Sequence, residues 1–449
     1  MSGWSVLTKV YLISLGCPRN LVDSEVLLGL FRQKGFMITE KAEEADVAVV
    51  NTCGFIQDAK QESIDVILQL AELKSSGKIK KLLVAGCLSQ RYPEALLDEI
   101  KEIDALFGTA DFTKIPELIE TVLSGKRISE VTRVPEFLYD HLYERESLTP
   151  PHYAYVKIQE GCSNRCSYCV IPDLKGPRRS RTIDSVLTEI EDLKARRGIK
   201  ELLLIGQDTT SFGLDREEGP LLAKLLIEAS PLMENGWIRL LYTHPAHFTS
   251  ELIDVLATTD NICKYVDLPI QHINDRILQK MNRRTTKSGI TSLIDRIRKR
   301  IKDVTLRTSI IVGFPGETDG DFSELLDFLK DTGFDRLGAF LYSREDGTPA
   351  AGFTDQVPDG LKEERFDEVM KLQQKISTEK NMRFLNKRLK TLIDEGDPSD
   401  PERFVGRSQM DAPEADGVIY VTGADIRVGE FVNVNITGAM EYDLTGEVV

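Results

Sequence analysis

Three cysteines close three successive β-like runs, and that repetition constrains the fold of this 449-residue chain more than any other feature. The runs are Lys9–Leu15, Ala45–Asn51 and Lys81–Ala85, ending in Leu15-Gly16-Cys17, Asn51-Thr52-Cys53-Gly54 and Ala85-Gly86-Cys87. The segments between them, Leu21–Lys34 and Ile56–Lys74, carry apolar residues at helical spacing, so the pattern reads βαβαβ and predicts a parallel sheet. The cysteines lie 36 and 34 residues apart, one βα unit each. Strands of a parallel sheet all point one way, so the residues past their carboxyl ends gather at one edge, where such folds place ligands. Cys17, Cys53 and Cys87 could therefore converge on a metal. The competing reading is that each is a small residue in a tight turn.

A second constraint is the stretch Gly161-Cys162-Ser163-Asn164-Arg165-Cys166-Ser167-Tyr168-Cys169, which follows the strand-like run Tyr153–Ile158. Thiolates this close usually share a soft metal: zinc, copper(I) or an iron-sulfur cluster. A structural zinc site is closed by four ligands, and here the next histidine is His244. A four-iron cubane held by three cysteines keeps one iron open to an exogenous ligand, which implies chemistry at the cluster. A zinc site completed by a distant residue, or three buried thiols, are the alternatives. The total of seven cysteines is odd, which argues against a disulfide framework. Cys263, in Asn261-Ile262-Cys263-Lys264, reads as a small buried apolar residue.

Composition enters at three points. Hydrophobic residues at 41% and charged residues at 29% describe a soluble globular protein, long enough for two or three domains. The run Val6–Leu15 is interrupted by Thr8 and Lys9 and lacks a small-residue cleavage site, so it reads as a first strand rather than a signal peptide. No apolar stretch reaches transmembrane length, and the expectation is a cytoplasmic protein with no membrane association. The net charge of −15 favours a basic partner over binding of nucleic acid through its phosphates, though a local basic groove stays compatible with it.

From Tyr153 onward strands and helices alternate. The strands are Tyr153–Gln159, Glu201–Gly206, Ile238–Thr243, Tyr265–Ile270, Thr305–Val312 and Arg336–Tyr342, with helices at Ile183–Arg196, Leu221–Ala229, Gly289–Ile301 and Phe322–Leu329. Six βα units fall short of an eightfold barrel. Residues at the carboxyl ends of such strands deliver function, which singles out Gly206-Gln207-Asp208, Gln271-His272 and Gly313-Phe314-Pro315-Gly316-Glu317. Each is also open to reading as turn chemistry. His244 and His272 lack a paired carboxylate at a telling spacing and read as core or supporting residues. The basic run Arg178-Arg179-Ser180-Arg181 could hold a carboxylate or simply be solvated. Lys126–Pro151, with Pro135, Pro150 and Pro151, shows no periodicity and reads as a linker.

After an amphipathic stretch, Lys362–Leu385, come short β-rich runs at Leu389–Ile393, Gly417–Val421, Phe431–Ile436 and Asp443–Val448, the pattern of a small antiparallel barrel. From Lys380 to Val449 there are eight Lys/Arg and thirteen Asp/Glu, a net of −5, with an acidic loop expected at residues 394–402. An acidic barrel would repel phosphate and attract a basic protein, unless the loop is merely solvated.

Cys-x3-Cys-x2-Cys with Tyr168 before the last cysteine resembles the signature of radical S-adenosylmethionine (SAM) enzymes. The stretch Ser14-Leu15-Gly16-Cys17-Pro18-Arg19-Asn20-Leu21-Val22-Asp23-Ser24-Glu25 resembles the N-terminal domain of methylthiotransferases within that superfamily. The Gly-Cys-Pro-Arg-Asn form, together with Tyr342-Ser343-Arg344-Glu345-Asp346-Gly347-Thr348-Pro349-Ala350-Ala351, is similar to the branch that modifies an aspartate of ribosomal small-subunit protein S-twelve. The family commonly has Arg-Gly where this chain has Lys175-Gly176, a departure that weakens any bidentate contact inferred there.

The resemblance implies a methylthiotransferase N-terminal domain over residues 7–125, a linker at 126–147, a partial (βα)6 radical SAM barrel at 148–378 and a barrel like the TRAM domain at 379–449. It implies two [4Fe-4S] clusters: Cys162, Cys166 and Cys169 hold the one that cleaves SAM, and Cys17, Cys53 and Cys87 hold an auxiliary one. Tyr168, Gly206, Gln207, Gln271 and Gly313 would contact SAM, which serves as methyl donor and radical source. The implied partners are ribosomal protein S-twelve or the small subunit, an electron donor such as a flavodoxin or ferredoxin, and a sulfur source, without direct tRNA binding. A tRNA adenosine methylthiotransferase, and more distantly a zinc- or RNA-binding non-enzyme, are the alternatives.

Overall fold

The computed structural model describes residues 8–449, so Val6 and Leu7, the start of the expected first strand and domain, lie outside the described residues. The chain forms two compact units: Met1–Leu148, Gln159–Arg165 and Cys169–Val186 make the first, and Thr149–Ile158, Cys166–Tyr168 and Leu187–Val449 make the second.

In the first unit, strands β1 (Lys9–Ser14), β2 (Met37–Ile38), β3 (Val47–Thr52), β4 (Lys81–Gly86), β5 (Ile103–Phe107) and β6 (Ile128–Glu130) form one parallel sheet in the order β2-β1-β3-β4-β5-β6. Helices α1 (Pro18–Gln33), α2 (Gln57–Ser75), α3 (Cys87–Arg91), α4 (Pro93–Glu99) and α5 (Ile115–Leu123) connect the strands. β3, Val-Ala-Val-Val-Asn-Thr, is buried along its whole length, as a β-branched central strand covered on both faces should be. Val50, Val84, Ile67, Leu70 and Leu106 share the core beside it. The expected three strands are thus part of six. β6 opens the stretch expected to be linker, because pairing of Ile128 with Ala105 gives its backbone a partner that its polar sequence does not announce.

The chain continues through β7 (Tyr153–Lys157), described with the second unit. It then makes an antiparallel ribbon of β8 (Gln159–Glu160) and β9 (Arg179–Ser180), with the short helix α6 (Ile171–Lys175) between them. The basic run that follows α6 is structural rather than solvated. Arg181 is buried, stacks over Tyr139 and donates to Ser185, while Arg179 donates to the carbonyls of Pro177, Phe137 and Lys175.

The second unit alternates α7 (Ile183–Arg197), β10 (Glu201–Ile205), α8 (Leu222–Ala229), β11 (Trp237–Leu240), α9 (Ser250–Thr258) and β12 (Tyr265–Asp267). Helices α10 (Asp275–Lys280) and α11 (Lys287–Arg300) lead to β13 (Thr305–Val312), α12 (Asp319–Thr332), β14 (Arg336–Leu341) and the long α13 (Asp359–Met382). The parallel strands run β7-β10-β11 and β12-β13-β14, and a bridge between Ile238 and Ile262 links the halves into the expected partial barrel of six strands.

Strands β15 (Arg388–Asp397), β16 (Asp400–Arg407), β17 (Ile419–Thr422), β18 (Phe431–Ala439) and β19 (Leu444–Val448) close a small barrel in the order β15-β16-β17-β19-β18. Every pairing in it is antiparallel except β17 with β19. The expected acidic loop is instead the tip of the β15–β16 hairpin. Asp394 in it is withdrawn from solvent by Arg407, at 2.7 Å, and by His152, at 2.9 Å.

This small barrel sits against the amino ends of the large barrel's strands. Glu201, the first residue of β10, takes Arg239 and Arg407 at 2.7 Å each. Arg336, the first residue of β14, pairs with Asp411 at 2.6 Å, and Arg307 and Tyr265 converge on Asp416. Pairs taken out of water in this way fix relative position at the cost of desolvating their charges. The carboxyl ends of the strands stay clear for function. Among the described residues, no helix is long and apolar enough to cross a membrane.

Candidate functional site

Cys17, Cys53 and Cys87 follow β1, β3 and β4, three neighbours in the sheet. Their approach depends on glycine. Gly16 has φ +88°, and a Cβ there would lie 2.7 Å from Cys53 Cβ and 3.0 Å from its Sγ; a Cβ on Gly54 would meet the Cys87 carbonyl carbon at 2.8 Å. The rest of Gly-Cys-Pro-Arg-Asn has equally local reasons. Pro18 opens α1 where a missing N–H costs nothing. Arg19 Nε donates to Cys17 Sγ at 3.5 Å, and Asn20 Nδ2 ties the turns together by donating to the carbonyls of Leu15, at 2.8 Å, and Thr52, at 3.2 Å.

The thiols are not equivalent. Burial pushes Cys17 up, but Arg19 beside it, the Asn20 amide and Lys175 more than reverse this and leave it below the ordinary thiol range. Burial pushes the Cys87 thiol up to about 12, against the opposing pull of Lys175. Cys53 is raised as well, by burial and then by Cys17.

The residue acting on both Cys17 and Cys87 is Lys175, whose importance was hidden in the sequence by its departure from Arg-Gly. α6 packs Val170 and Leu174 against Cys87 and, through the Leu174 carbonyl, accepts the Thr109 hydroxyl at 2.5 Å. Its last residue, Lys175, is thereby buried with its ammonium 2.9 Å from Asp23 of α1 and 4.0 Å from Glu160 of β8. Coulombic attraction to those two carboxylates outweighs burial and holds the lysine protonated. The edge of the sheet therefore offers three soft ligands and one fixed cation. That set suits an anionic iron-sulfur cluster with one iron unfilled by protein.

In the other cysteine stretch, Cys162 and Cys169 belong to the first unit and Cys166 to the second. All three are partly exposed, as ligands that must meet an exogenous molecule should be. The Cys162 amide donates to the Gly176 carbonyl at 3.1 Å. In the second unit, Ser167 is pinned on α10, its amide donating to the Met281 carbonyl and its hydroxyl to the Lys280 carbonyl. Tyr168 packs edge-on against Phe314, and its hydroxyl accepts from Arg283 at 3.1 Å. The same guanidinium lies 3.9 Å from Cys166 Sγ, a basic neighbour that the sequence did not mark.

The other expected site residues all fall at carboxyl ends of strands. Gly206 and Gln207 follow β10 directly, and Gln271 bridges to Ile310 of β13 in a left-handed conformation, φ +69°. The amide of Gly313, expected to be available to a ligand, is already committed to Glu317 at 3.0 Å, and Glu317 is held in turn by Arg365. His272 is fully buried, with Nδ1 accepting from the Asn274 amide and Nε2 3.6 Å from Glu317, a carboxylate 45 residues on that its sequence neighbourhood did not offer. Cys263 is buried, its thiol pushed up to about 12 by that burial.

His244 is buried among neighbours that the sequence did not show. Thr210 and Thr209 lace the loop after β10 to the loop after β11: the His244 amide donates to the Thr210 hydroxyl at 2.9 Å, and the Thr209 amide to the Tyr242 carbonyl at 2.9 Å. This puts Asp208, His244 and His247 side by side, with ligand atoms within 4.8 Å of one another, and Asp208 2.7 Å from His247 Nδ1. Asp208, brought from a strand end 36 residues before His244, pairs with His247, while His244 Nε2 makes no hydrogen bond. Burial opposes its charge, but the hydrogen bonds from His247 and Thr210 hold it below the usual carboxylate range. Burial, and then the charge of Arg283, hold the His244 imidazole below its ordinary value.

Comparison with known proteins places these features in a family. Residues 9–108 match the model described as Uncharacterized protein family UPF0004, residues 156–329 the Radical SAM superfamily, and residues 387–449 the TRAM domain. The chain is 49% identical over 442 residues to a protein of Syntrophotalea carbinolica named ribosomal protein uS12 methylthiotransferase RimO, covering 98% of this chain and 97% of that one. A protein of the same name from Heliobacterium modesticaldum is 48% identical, with 99% and 96% covered, and one from Clostridioides difficile is 47% identical, with 99% of each covered. Among solved structures the fold is similar to the radical SAM methyltransferase TsrM of Kitasatospora setae, with a TM-score of 0.59 at 18% identity and 77% of each chain covered.

Proposed function

The chain belongs to the RimO family of ribosomal protein uS12 methylthiotransferases, and we propose that it replaces a hydrogen on the β-carbon of an aspartyl residue in that ribosomal protein with a methylthio group. The observation that carries this reading is the doubling of the thiol set, three at the edge of a sheet and three in the stretch after β7, within one chain. Such a β-carbon is too weakly acidic for base catalysis, so its C–H bond calls for radical chemistry from a cofactor.

In this reading Cys162, Cys166 and Cys169 hold one [4Fe-4S] cluster and Cys17, Cys53 and Cys87 a second. Bound there, one cluster would supply the electron for cleavage of SAM and the other a site for the sulfur to be transferred, with a further SAM as the methyl donor. The protein's own residues do the rest. The Gly16 and Gly54 turns and the Asn20 hydrogen bonds hold the auxiliary thiols, and Lys175 offsets their charge. Arg283 steadies Tyr168 and Cys166. Tyr168, Gly206, Gln207, Gln271 and Gly313 would contact SAM, the Gly313 amide being already committed to Glu317. A flavodoxin or ferredoxin would deliver electrons and a separate donor the sulfur, in the cytoplasm where ribosomes are assembled.

The acidic small barrel supports a basic protein as partner. Asp394, Asp411 and Asp416 are consumed by inward pairs, but Glu395 and Glu402 remain exposed at the hairpin tip. The test is anaerobic reconstitution with iron and sulfide, then SAM, a reductant and a sulfur source, with either a peptide from the ribosomal protein or unmodified tRNA. The expected result is a methylthio mass gain on the peptide alone, localised to aspartate. A gain on tRNA alone overturns the choice of substrate while leaving the radical chemistry intact.

A further inference from the structure

Taking an ion out of water is repaid only when a group of opposite charge meets it. Four buried arginines of the second unit follow that rule: Arg239 and Arg407 pair with Glu201, Arg336 with Asp411 and Arg365 with Glu317, all within 2.8 Å. Arg283 is the exception. It is 7% exposed, and among the described residues no carboxylate pairs with it. Its Nη2 donates to the Pro269 carbonyl at 2.7 Å and its Nη1 to the Tyr168 hydroxyl at 3.1 Å, while Nε is buried without an acceptor. Neither a carbonyl nor a phenol carries charge at neutral pH. The remaining contact is Cys166 Sγ, 3.9 Å from Nη1.

One turn brings the cysteine and the arginine together. Asn282 takes a left-handed conformation, φ +55°, and the Arg283 amide returns to the Leu278 carbonyl of α10 at 2.9 Å. The Ser167 amide donates to the Met281 carbonyl of the same turn, also at 2.9 Å. A guanidinium does not give up its proton in a protein, so this charge is fixed. An oxidised four-iron cluster held by three thiolates is already an anion, and its reduction adds a further negative charge. A cation beside a ligating sulfur therefore favours the reduced form. SAM is no substitute for the missing anion, since its ammonium and sulfonium outnumber its single carboxylate.

We propose that Arg283 is the buried counter-ion of the SAM-cleaving cluster, acting through Cys166 to stabilise its reduced state and so raise its reduction potential. The proposal rests on the function put forward above, in which Cys166 is a ligand of that cluster. The step it favours takes one electron from the external reductant into the cluster. No bond forms or breaks at Arg283 and no proton leaves it, so its part in the reaction is electrostatic.

The experiment is a dye-mediated redox titration of the full chain reconstituted with iron and sulfide, followed by electron paramagnetic resonance. The reduced-cluster signal that changes when SAM is added identifies the cluster to follow, and any other cluster signal serves as an internal reference. Arg283→Gln and Arg283→Met remove the charge, and Arg283→Lys keeps it. A unit charge beside the ligating sulfur predicts that, at a fixed applied potential, the ratio of reduced to oxidised cluster falls about tenfold in the neutral variants, a midpoint about 59 mV lower. Arg283→Lys should stay within about threefold of wild type, because the ammonium supplies the same charge. SAM affinity, measured by calorimetry on the oxidised protein, should hold in every variant. Neutral variants that take up no cluster while Arg283→Lys does so meet the same expectation, since the charge is then required for the anion to be held. Failure of all three to load points to a structural role and overturns the proposal. So does an unchanged potential in the neutral variants, a fall in Arg283→Lys as large as theirs, or a loss of SAM affinity at unchanged potential. Wild type that takes up no iron-sulfur cluster overturns the radical reading itself, and the proposal with it.

Discussion

Replacing Lys175 by Met removes the buried cation that faces two carboxylates. Its ammonium lies 2.9 Å from Asp23 and 4.0 Å from Glu160, and the three residues are 5%, 3% and 5% exposed. Methionine keeps the length and the packing of α6 on Cys87, so the loss is electrostatic. Breaking a buried pair by deleting one partner costs about 3–5 kcal/mol, because the remaining charge is left without compensation. Asp23→Asn combined with Lys175→Met removes the stranded charge at the 2.9 Å contact, so the double variant should recover much of the loss, a coupling typical of residues in direct contact. The assay is urea unfolding of metal-free, reduced protein, with hydrogen exchange of the β1, β3 and β4 amides identifying the transition that belongs to the first unit. The lysine also opposes the burial of Cys87 and helps lower Cys17, so both thiols should be alkylated more slowly in Lys175→Met at neutral pH. A single variant within about 0.5 kcal/mol of wild type, the range of an ordinary surface substitution, would refute the reasoning.

Three further outcomes are expected. Serine at Cys53 or at Cys166 should each cost about half of the iron and sulfide of the reconstituted protein, and the two together nearly all of it, measured by metal analysis. Arg407→Met removes one partner from Glu201 and one from Asp394, which keep Arg239 and His152, so the second unit should lose about 3 kcal/mol in denaturant unfolding, the low end for buried pairs. His244, facing Asp208, His247 and Arg283, is held neutral below its ordinary imidazole value. Its contribution is present above the unfolded value of about 6.5 and is lost as pH falls toward the lowered folded value, at up to about 1.4 kcal/mol per pH unit. Stability measured from pH 7 downward should therefore decline less steeply in His244→Gln.

The strands that carry cysteines were legible because two local signals coincide there. Continuous β-branched apolar runs such as Val47–Val50 mark a parallel strand covered on both faces, and a glycine next to each cysteine marks the turn after it. The six barrel strands were legible by the same alternation with helices. β5, β6 and β16 were not. Ile128–Glu130 is three residues long, and β16 is mostly polar with Pro401 and Glu402 among its first residues, so only backbone pairing with β5 and β15 makes them strands. A one-dimensional pattern has no term for a partner supplied from elsewhere in the chain.

By itself the sequence determined the two cysteine sets, the alternation that builds a parallel sheet and a partial barrel, and the family, because each depends on residues within one βα unit or one loop. Only the tertiary structure decided which charges have roles. Lys175 meets Asp23 across 152 positions, Arg407 meets Glu201 across 206, and His247 meets Asp208 across 39. In the sequence each of these is a charged or polar residue like its neighbours. The energy of such a pair depends on distance and on exclusion of water, quantities that exist only once the chain is packed.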